Sequence, residues 1–333
     1  MLEPNPLLDV LLVAVTPLLL WGTVVVGWQT PLMSLLWWVN AFVQSWMTFM
    51  CFFIYHDICV HRSAFGPWAS WLAGLYVTGA GITWGSANSN WAARHFMHHK
   101  FTFEDKDPKL FRSKLRTPMA RLVCLNGFIR QLWRKPHWEA YNRRMERGAA
   151  AADKDKGKDK DKDRSEPAVD VREHLPERFR HGFYARRGFE QVIHLTMGIA
   201  WGVALWHYPV EASRSVMGVL VFSGLWDSLR FIMEHADQDN DNPFSHSTLY
   251  KTNLLTQVLT FWDGGDCHAA HHLYPRAPLY RLGRLGNALV PVLVRNGVRL
   301  HDSLIELCWN YLIVGRPHGT RWPAAADSVR KRS

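Results

Sequence analysis

The sequence predicts an all-α integral membrane protein: four transmembrane helices in two hairpins, beneath a cytosolic cap of further helices. Three observations carry this. Long apolar runs occur in two pairs, no Lys or Arg precedes Arg62, and histidines cluster just beyond the ends of the apolar runs.

Leu8 to Trp28 is the first run, and its 21 residues would span about 32 Å as a helix, the thickness of the hydrocarbon core. Nothing basic precedes it, so it lacks the leading charges of a secretory signal. Gln29, Thr30 and Pro31 form a turn, and Leu32 to Tyr55 makes the second run. The second pair is Phe189 to Trp206 and Ser215 to Met233, joined by His207 to Arg214. Glu190, His194, Asp227 and Arg230 interrupt it; polar groups at membrane depth are costly, so these four are expected against protein or near the ends. Trp68 to Trp84 is apolar but broken by Gly74, Gly79 and Gly81, and is expected to lie at the interface or dip into the membrane. Leu285 to Leu293 and Leu300 to Val314 have the pattern of amphipathic cytosolic helices.

Charge sets the orientation. Only Arg214 and Arg230 of the 39 Lys and Arg fall between Phe189 and Glu234; the rest lie in the central loop or the C-terminal region. Positive residues stay inside, so both regions and both termini are expected in the cytoplasm. The net charge of +10 is then a topology signal, with attraction to anionic headgroups as a secondary role, and no nucleic-acid partner is expected. Residues 147–167 include DKDKGKDKDKDR, which alternates in sign and has no apolar residue with which to pack. This stretch is expected to be a disordered charged linker inside a single domain covering 1–333. The five cysteines are scattered without a C-x-x-C pair, which argues against a disulfide framework.

The chemistry lies in the histidines. His56 and His61 stand in HDICVH, His95, His98 and His99 in HFMHH, His235 in MEHADQD, and His268, His271 and His272 in HAAHH. On a helix, positions i, i+3 and i+4 share a face, so each H-x-x-H-H triplet can turn its imidazoles toward a metal site. Neutral imidazole suits iron, zinc, copper or nickel, whereas calcium and magnesium prefer oxygen. Burying six imidazoles with no such purpose would be expensive. The five-residue step from His56 to His61 turns about 140° on an α-helix. These two therefore reach different metals, or straddle a distorted end of the second crossing. His235 is placed by its position just past the fourth crossing. Cys59 and Cys267 lie inside the motifs and read as small buried residues.

HDICVHR, NWAARHFMHHKFTFEDKDP and GGDCHAAHHLYP resemble the three histidine boxes of the membrane fatty acid desaturase superfamily. The second and third boxes are similar to the stearoyl-CoA type, with Lys100-Phe101 and Asp105-Lys106-Asp107-Pro108 after one, and Gly265-Asp266 before and Pro275 after the other. Two departures stand out: Asp266 replaces the commoner Glu, and EHADQDNDNP looks more like bacterial acyl desaturases and their hydroxylating relatives. The resemblance implies a di-iron centre with dioxygen as co-substrate. Its ligands would be His56, His61, His95, His98, His99, His268, His271 and His272, with His235 as the additional one. Asp57 and Asp266 are then expected to support those ligands from behind. The expected reaction is insertion of a double bond into a fatty acyl chain linked to CoA, a carrier protein or a lipid. Electrons would come from a separate ferredoxin, rubredoxin or cytochrome-type donor. Rival outcomes within the superfamily are alkyl, acyl or carotenoid hydroxylation or ketolation, and decarboxylation to a terminal alkene. A histidine-rich metal transporter is the remote alternative, disfavoured because its ligands should lie at the bilayer midplane.

Overall fold

A computed structural model describes residues 3–79, 88–102, 107, 176–180, 183–236, 242, 244–245, 247–260 and 266–314. The linker expected at 147–167 lies outside the described residues, as does the end of the apolar stretch at 80–84.

The described residues are mostly helical, and four long helices organise them. The first, α1 (Pro6–Gln29), begins where the Asn5 side chain accepts the Leu8 N–H and Pro6 supplies a preset φ. After a tight turn containing Met33 at φ 65°, Ser34 caps α2 (Leu35–Ile54) by accepting the Trp37 N–H. A π-helical segment, Tyr55–Arg62, continues α2 and ends at Ser63, whose φ of 47° is left-handed. Next come α3 (Pro67–Gly79), α4 (Asn88–Lys100) and the short α5 (Glu177–Arg180). The second long pair is α6 (Phe183–His207) and α7 (Pro209–His235). The expected His207 to Arg214 connection shrinks to Tyr208 alone. Its φ/ψ of −134°/61° breaks one helix, and Pro209 starts the next.

The C-terminal part holds α8 (Leu254–Leu259), α9 (Asp266–Leu273), α10 (Leu279–Arg295), α11 (Leu304–Trp309) and a π-helical turn, Asn310–Val314. The all-α expectation needs one amendment. Leu249–Tyr250 and Leu300–His301 pair as two-residue parallel strands, β1 and β2, with Leu249 opposite Leu300 and Tyr250 opposite His301. That pairing sits where the second amphipathic helix was expected to start, so the helix begins only at Leu304.

α2 packs against both α1 and α7, and α7 against α6. The turn end of this bundle is closely tied. Trp37 Nε1 donates to the Arg214 carbonyl at 2.8 Å, Ser215 Oγ to Val24 at 3.0 Å and Asn40 Nδ2 to Thr23 at 3.0 Å. Gly27 makes that approach possible: a Cβ there would lie 3.0 Å from Asn40 Nδ2 and 3.4 Å from Ser215 Oγ. The main core fills the opposite end with Phe52, Phe53, Ile54, Ile58 and Leu282. One helix among the described residues, Pro6–Gln29, is both long and apolar enough to cross a membrane. It leaves Leu7, Leu11, Leu18 and Val25 exposed, and α6 does the same with Val192, Leu195, Ile199 and Val203.

Candidate metal centre

All nine predicted histidines come together at the end of the bundle away from the turns, in two adjoining groups. His56, His61, His95, His99 and His271 form the first; the second is built on His98, His235 and His272, with His268 joining it through His235 and His272 and Glu234 beside His235 and His268. Each triplet is therefore split. His95 and His99 face one group while His98 faces the other; His268 and His272 face the second group while His271 crosses to the first. The expectation that a triplet serves one metal overlooked the angle: positions i+3 and i+4 differ by about 100° around the helix. Two α-helices, α4 and α9, thus each supply both groups.

His56 and His61 end in the same group. The π-helix explains this. Its backbone bonds run from i to i+5, so residues five apart lie above one another. Of the two alternatives open in the sequence, the distorted helix end is the one observed.

The imidazole nitrogens converge tightly. His95 Nε2 lies 2.8 Å from His56 Nε2, 2.8 Å from His61 Nε2 and 2.9 Å from His99 Nε2, and His271 Nε2 is 3.2 Å from His99 Nε2. In the second group His235 Nε2 is 3.1 Å from His98 Nε2 and 3.4 Å from His268 Nε2, with His272 3.1 Å from His268. Metal–imidazole bonds of about 2.1 Å at right angles place neighbouring nitrogens about 3.0 Å apart. The donor set therefore fits a transition-metal ion in each group. Burial, reinforced by His56, His61, His99 and His268, holds His271 well below the ordinary imidazole pKa, which keeps its lone pair free for a metal. The rings of His99 and His272 are 4.6 Å apart, so the two groups share a wall.

Several supports were not assigned from sequence. Asp107 sits behind His98, both carboxylate oxygens 3.0 Å from Nδ1. A carboxylate there accepts the Nδ1 proton and fixes the tautomer that leaves Nε2 bare. The Asp-x-Asp-Pro tail after the second box was its visible signal. Trp91 stacks on His95 at 4.6 Å and 14°. Glu190, fully buried on α6, accepts Trp71 Nε1 at 2.7 Å, Ser89 N at 2.9 Å and Ser89 Oγ at 2.7 Å, holding the first turn of the second-box helix. Arg230 pairs with Glu234 and lies over Phe52, 4.4 Å from the ring centre. Glu190 and Arg230 thus face protein.

Asp57 lies next to the group but turns away from it. Its Oδ2 accepts from Arg62 Nη2 at 3.0 Å and from the Leu279 N–H at 3.3 Å. Burial pushes its carboxyl up to about 6, against the pull of the Arg62 guanidinium. The backbone of Asp266 opens α9, and its side chain lies outside the described part. Cys59 and Cys267 join neither group; burial pushes the Cys59 thiol up, so it stays protonated.

Comparison with curated proteins gives no significant match. A family model described as fatty acid desaturase matches residues 34–303, a stretch that runs from the start of α2 through the β2 strand and contains every histidine of both groups. With the match covering most of the chain and the metal-competent cluster inside it, the chain belongs to the fatty acid desaturase family.

Proposed function

We propose that this protein is a membrane-embedded, dioxygen-dependent oxidoreductase that inserts a double bond into a fatty acyl chain. The carrying observation is the pair of adjoining imidazole groups, each with the nitrogen spacing of a metal site, in a chain of the desaturase family. Two iron ions would be held, one by His56, His61, His95, His99 and His271, the other by His98, His235, His268 and His272. When bound, iron supplies the activation of dioxygen that removes two hydrogens from adjacent carbons. The protein's own part is to present nine imidazole nitrogens, fix tautomers through groups such as Asp107, and exclude water with the Phe52, Phe53 and Trp91 wall. Electrons would come from a separate ferredoxin, rubredoxin or cytochrome-type protein, and the acyl group would ride on CoA, a carrier protein or a lipid.

Product analysis tests the reaction. Expressed with a compatible reductase, the protein is expected to yield acyl chains lighter by two hydrogens in mass spectra of total lipids and hydrolysed thioesters. Gain of an oxygen atom would make it a hydroxylase, and a terminal alkene with the carboxyl carbon lost would make it a decarboxylase.

The four long helices α1, α2, α6 and α7 are proposed as the membrane spans, with the histidines and both termini in the cytoplasm. Support comes from the two turns, which share one end: the rings of Trp28 and Tyr208 are 5.7 Å apart. The histidines share the other end, where the Asn5 N–H donates to Tyr280 Oη at 2.6 Å. A cysteine at exposed Val210 is expected to react with an impermeant reagent on intact cells, and one at exposed Arg276 is not. Labelling at both would refute the arrangement.

A further inference from the structure

Asp57 and Arg62 repeat, one residue later, the five-residue step of His56 and His61. On an α-helix that step turns about 140° and would separate both pairs. In the π-helical register both pairs close together: the imidazoles into the first metal group, the carboxylate onto the guanidinium at 3.0 Å. Formation of the ion pair and convergence of the histidines are two consequences of one backbone state.

That state needs a hold, because π-helical hydrogen bonding is rare and occurs mostly as single turns inside α-helices. Here it runs for eight residues and ends at a left-handed serine. The hold is visible on Arg62. Its Nη1 donates to Asp9 Oδ2 and its Nη2 to Asp9 Oδ1, both at 2.7 Å, a two-pronged bond to α1. Its Nε and Nη2 donate to Asp57 Oδ2 at 3.2 and 3.0 Å. Asp57 is also pinned by the Leu279 N–H, just past the third box, and Tyr280 Oη reaches Asp9 Oδ1 at 3.4 Å. The side chains of Arg62, Asp9 and Asp57 are all nearly buried, at 6%, 2% and 2% exposure, so water does not substitute for these contacts. Asp9 itself lies outside the region 34–303 that the family match covers.

We infer that the Asp9–Arg62–Asp57 triad is a register lock: it holds residues 55–62 in the π-helical state that brings His56 and His61 to one metal. These are positioning residues. Among the described residues neither Asp9 nor Asp57 joins a metal group, and Arg62 points its guanidinium at those two carboxylates. The inference rests on the proposed two-metal reading, and the test separates the two.

Metal is counted in the purified full-length chain, loaded with ferrous iron, for wild type, Asp9→Asn and the control Lys251→Met, which breaks an exposed pair. The expectation is about two irons per chain for wild type and control. Asp9→Asn should fall about twofold, to roughly one iron, the second group being intact. His98→Ala, which cuts the second group, should retain about one iron alone and almost none when combined with Asp9→Asn. Full occupancy in folded Asp9→Asn overturns the lock, and so does equal loss from both groups, which would mark the triad as general packing. Should Asp9→Asn fail to fold, Arg62→Lys carries the same readings, since lysine cannot make the two-pronged bond. A wild type without two irons defeats the proposed function instead. In that case amide hydrogen exchange at 55–62 in metal-free protein still decides: faster exchange in Asp9→Asn than in Lys251→Met supports the lock, and equal exchange overturns it.

Discussion

Replacing His95 by alanine is expected to empty the five-imidazole group and abolish turnover. His95 is the hub of that group: its Nε2 is within 2.9 Å of those of His56, His61 and His99. Its ring also bridges to the protein through the Trp91 stack. Removing it takes one donor and also the wall that holds the other donors in place. Iron should drop from about two per chain to about one, with oxidation of acyl substrate falling below detection. Asp107→Asn makes the graded comparison. It leaves every donor nitrogen in place and disturbs only the tautomer of His98, so affinity in the second group should weaken about 10- to 100-fold. Near-normal turnover in the His95 variant, or stoichiometric zinc in the native protein, would contradict the di-iron assignment.

Glu190→Leu is expected to be the most destabilising single change outside the histidines. The substitution orphans the Trp71 indole N–H, the Ser89 N–H and the Ser89 hydroxyl around a side chain that is itself fully buried. Losing three bonds to a carboxylate should cost about 3 kcal/mol or more. The Ser89 contacts hold the start of α4, so its histidines should loosen as well. Thermal unfolding in detergent should show a lowered midpoint with iron released early. Glu190→Gln, which keeps one acceptor oxygen, should fall between wild type and Glu190→Leu. A midpoint shift no larger than that of Lys251→Met, an exposed change expected to stay within about 0.5 kcal/mol, would refute the role.

How much of this was legible in the sequence follows from what spacing can encode. H-x-x-H-H reports that three imidazoles lean toward one side of a helix, and the structure gathers both triplets with His56, His61 and His235. It does not report which group each imidazole faces, because the 100° between i+3 and i+4 matters only once a second group stands opposite. The sharing of one group by His56 and His61 was hidden for a related reason: helical arithmetic assumes 3.6 residues per turn, and Tyr55–Arg62 departs from it. Glu190 was legible as a costly polar residue that should face protein; its partners, Trp71 and Ser89, are about a hundred residues earlier, beyond any local pattern. The pairing of Leu249 with Leu300 was equally out of reach, since two residues are too few for an alternating signature. The first two long helices were placed to within three residues, but the second pair each begin six residues earlier than expected. The single-residue link at Tyr208 was not legible, because Pro209 restarts a helix sooner than the composition change suggests.

The knot of hydrogen bonds around Gly27, Asn40 and Ser215 has a mechanical meaning. It fixes the helices at the end farthest from the histidines, so each helix behaves as a lever pivoting there. A 27-residue rod such as α7 is about 40 Å long. A swing of only about 0.3° at the pivot moves the far tip by about 0.2 Å, the tolerance of a metal–ligand bond. Pinning the pivot alone therefore leaves the tips too free for coordination chemistry. Accuracy at the histidines has to come from struts that join the tips directly, and Arg62 to Asp9, Leu279 to Asp57 and Ser89 to Glu190 are struts of that kind.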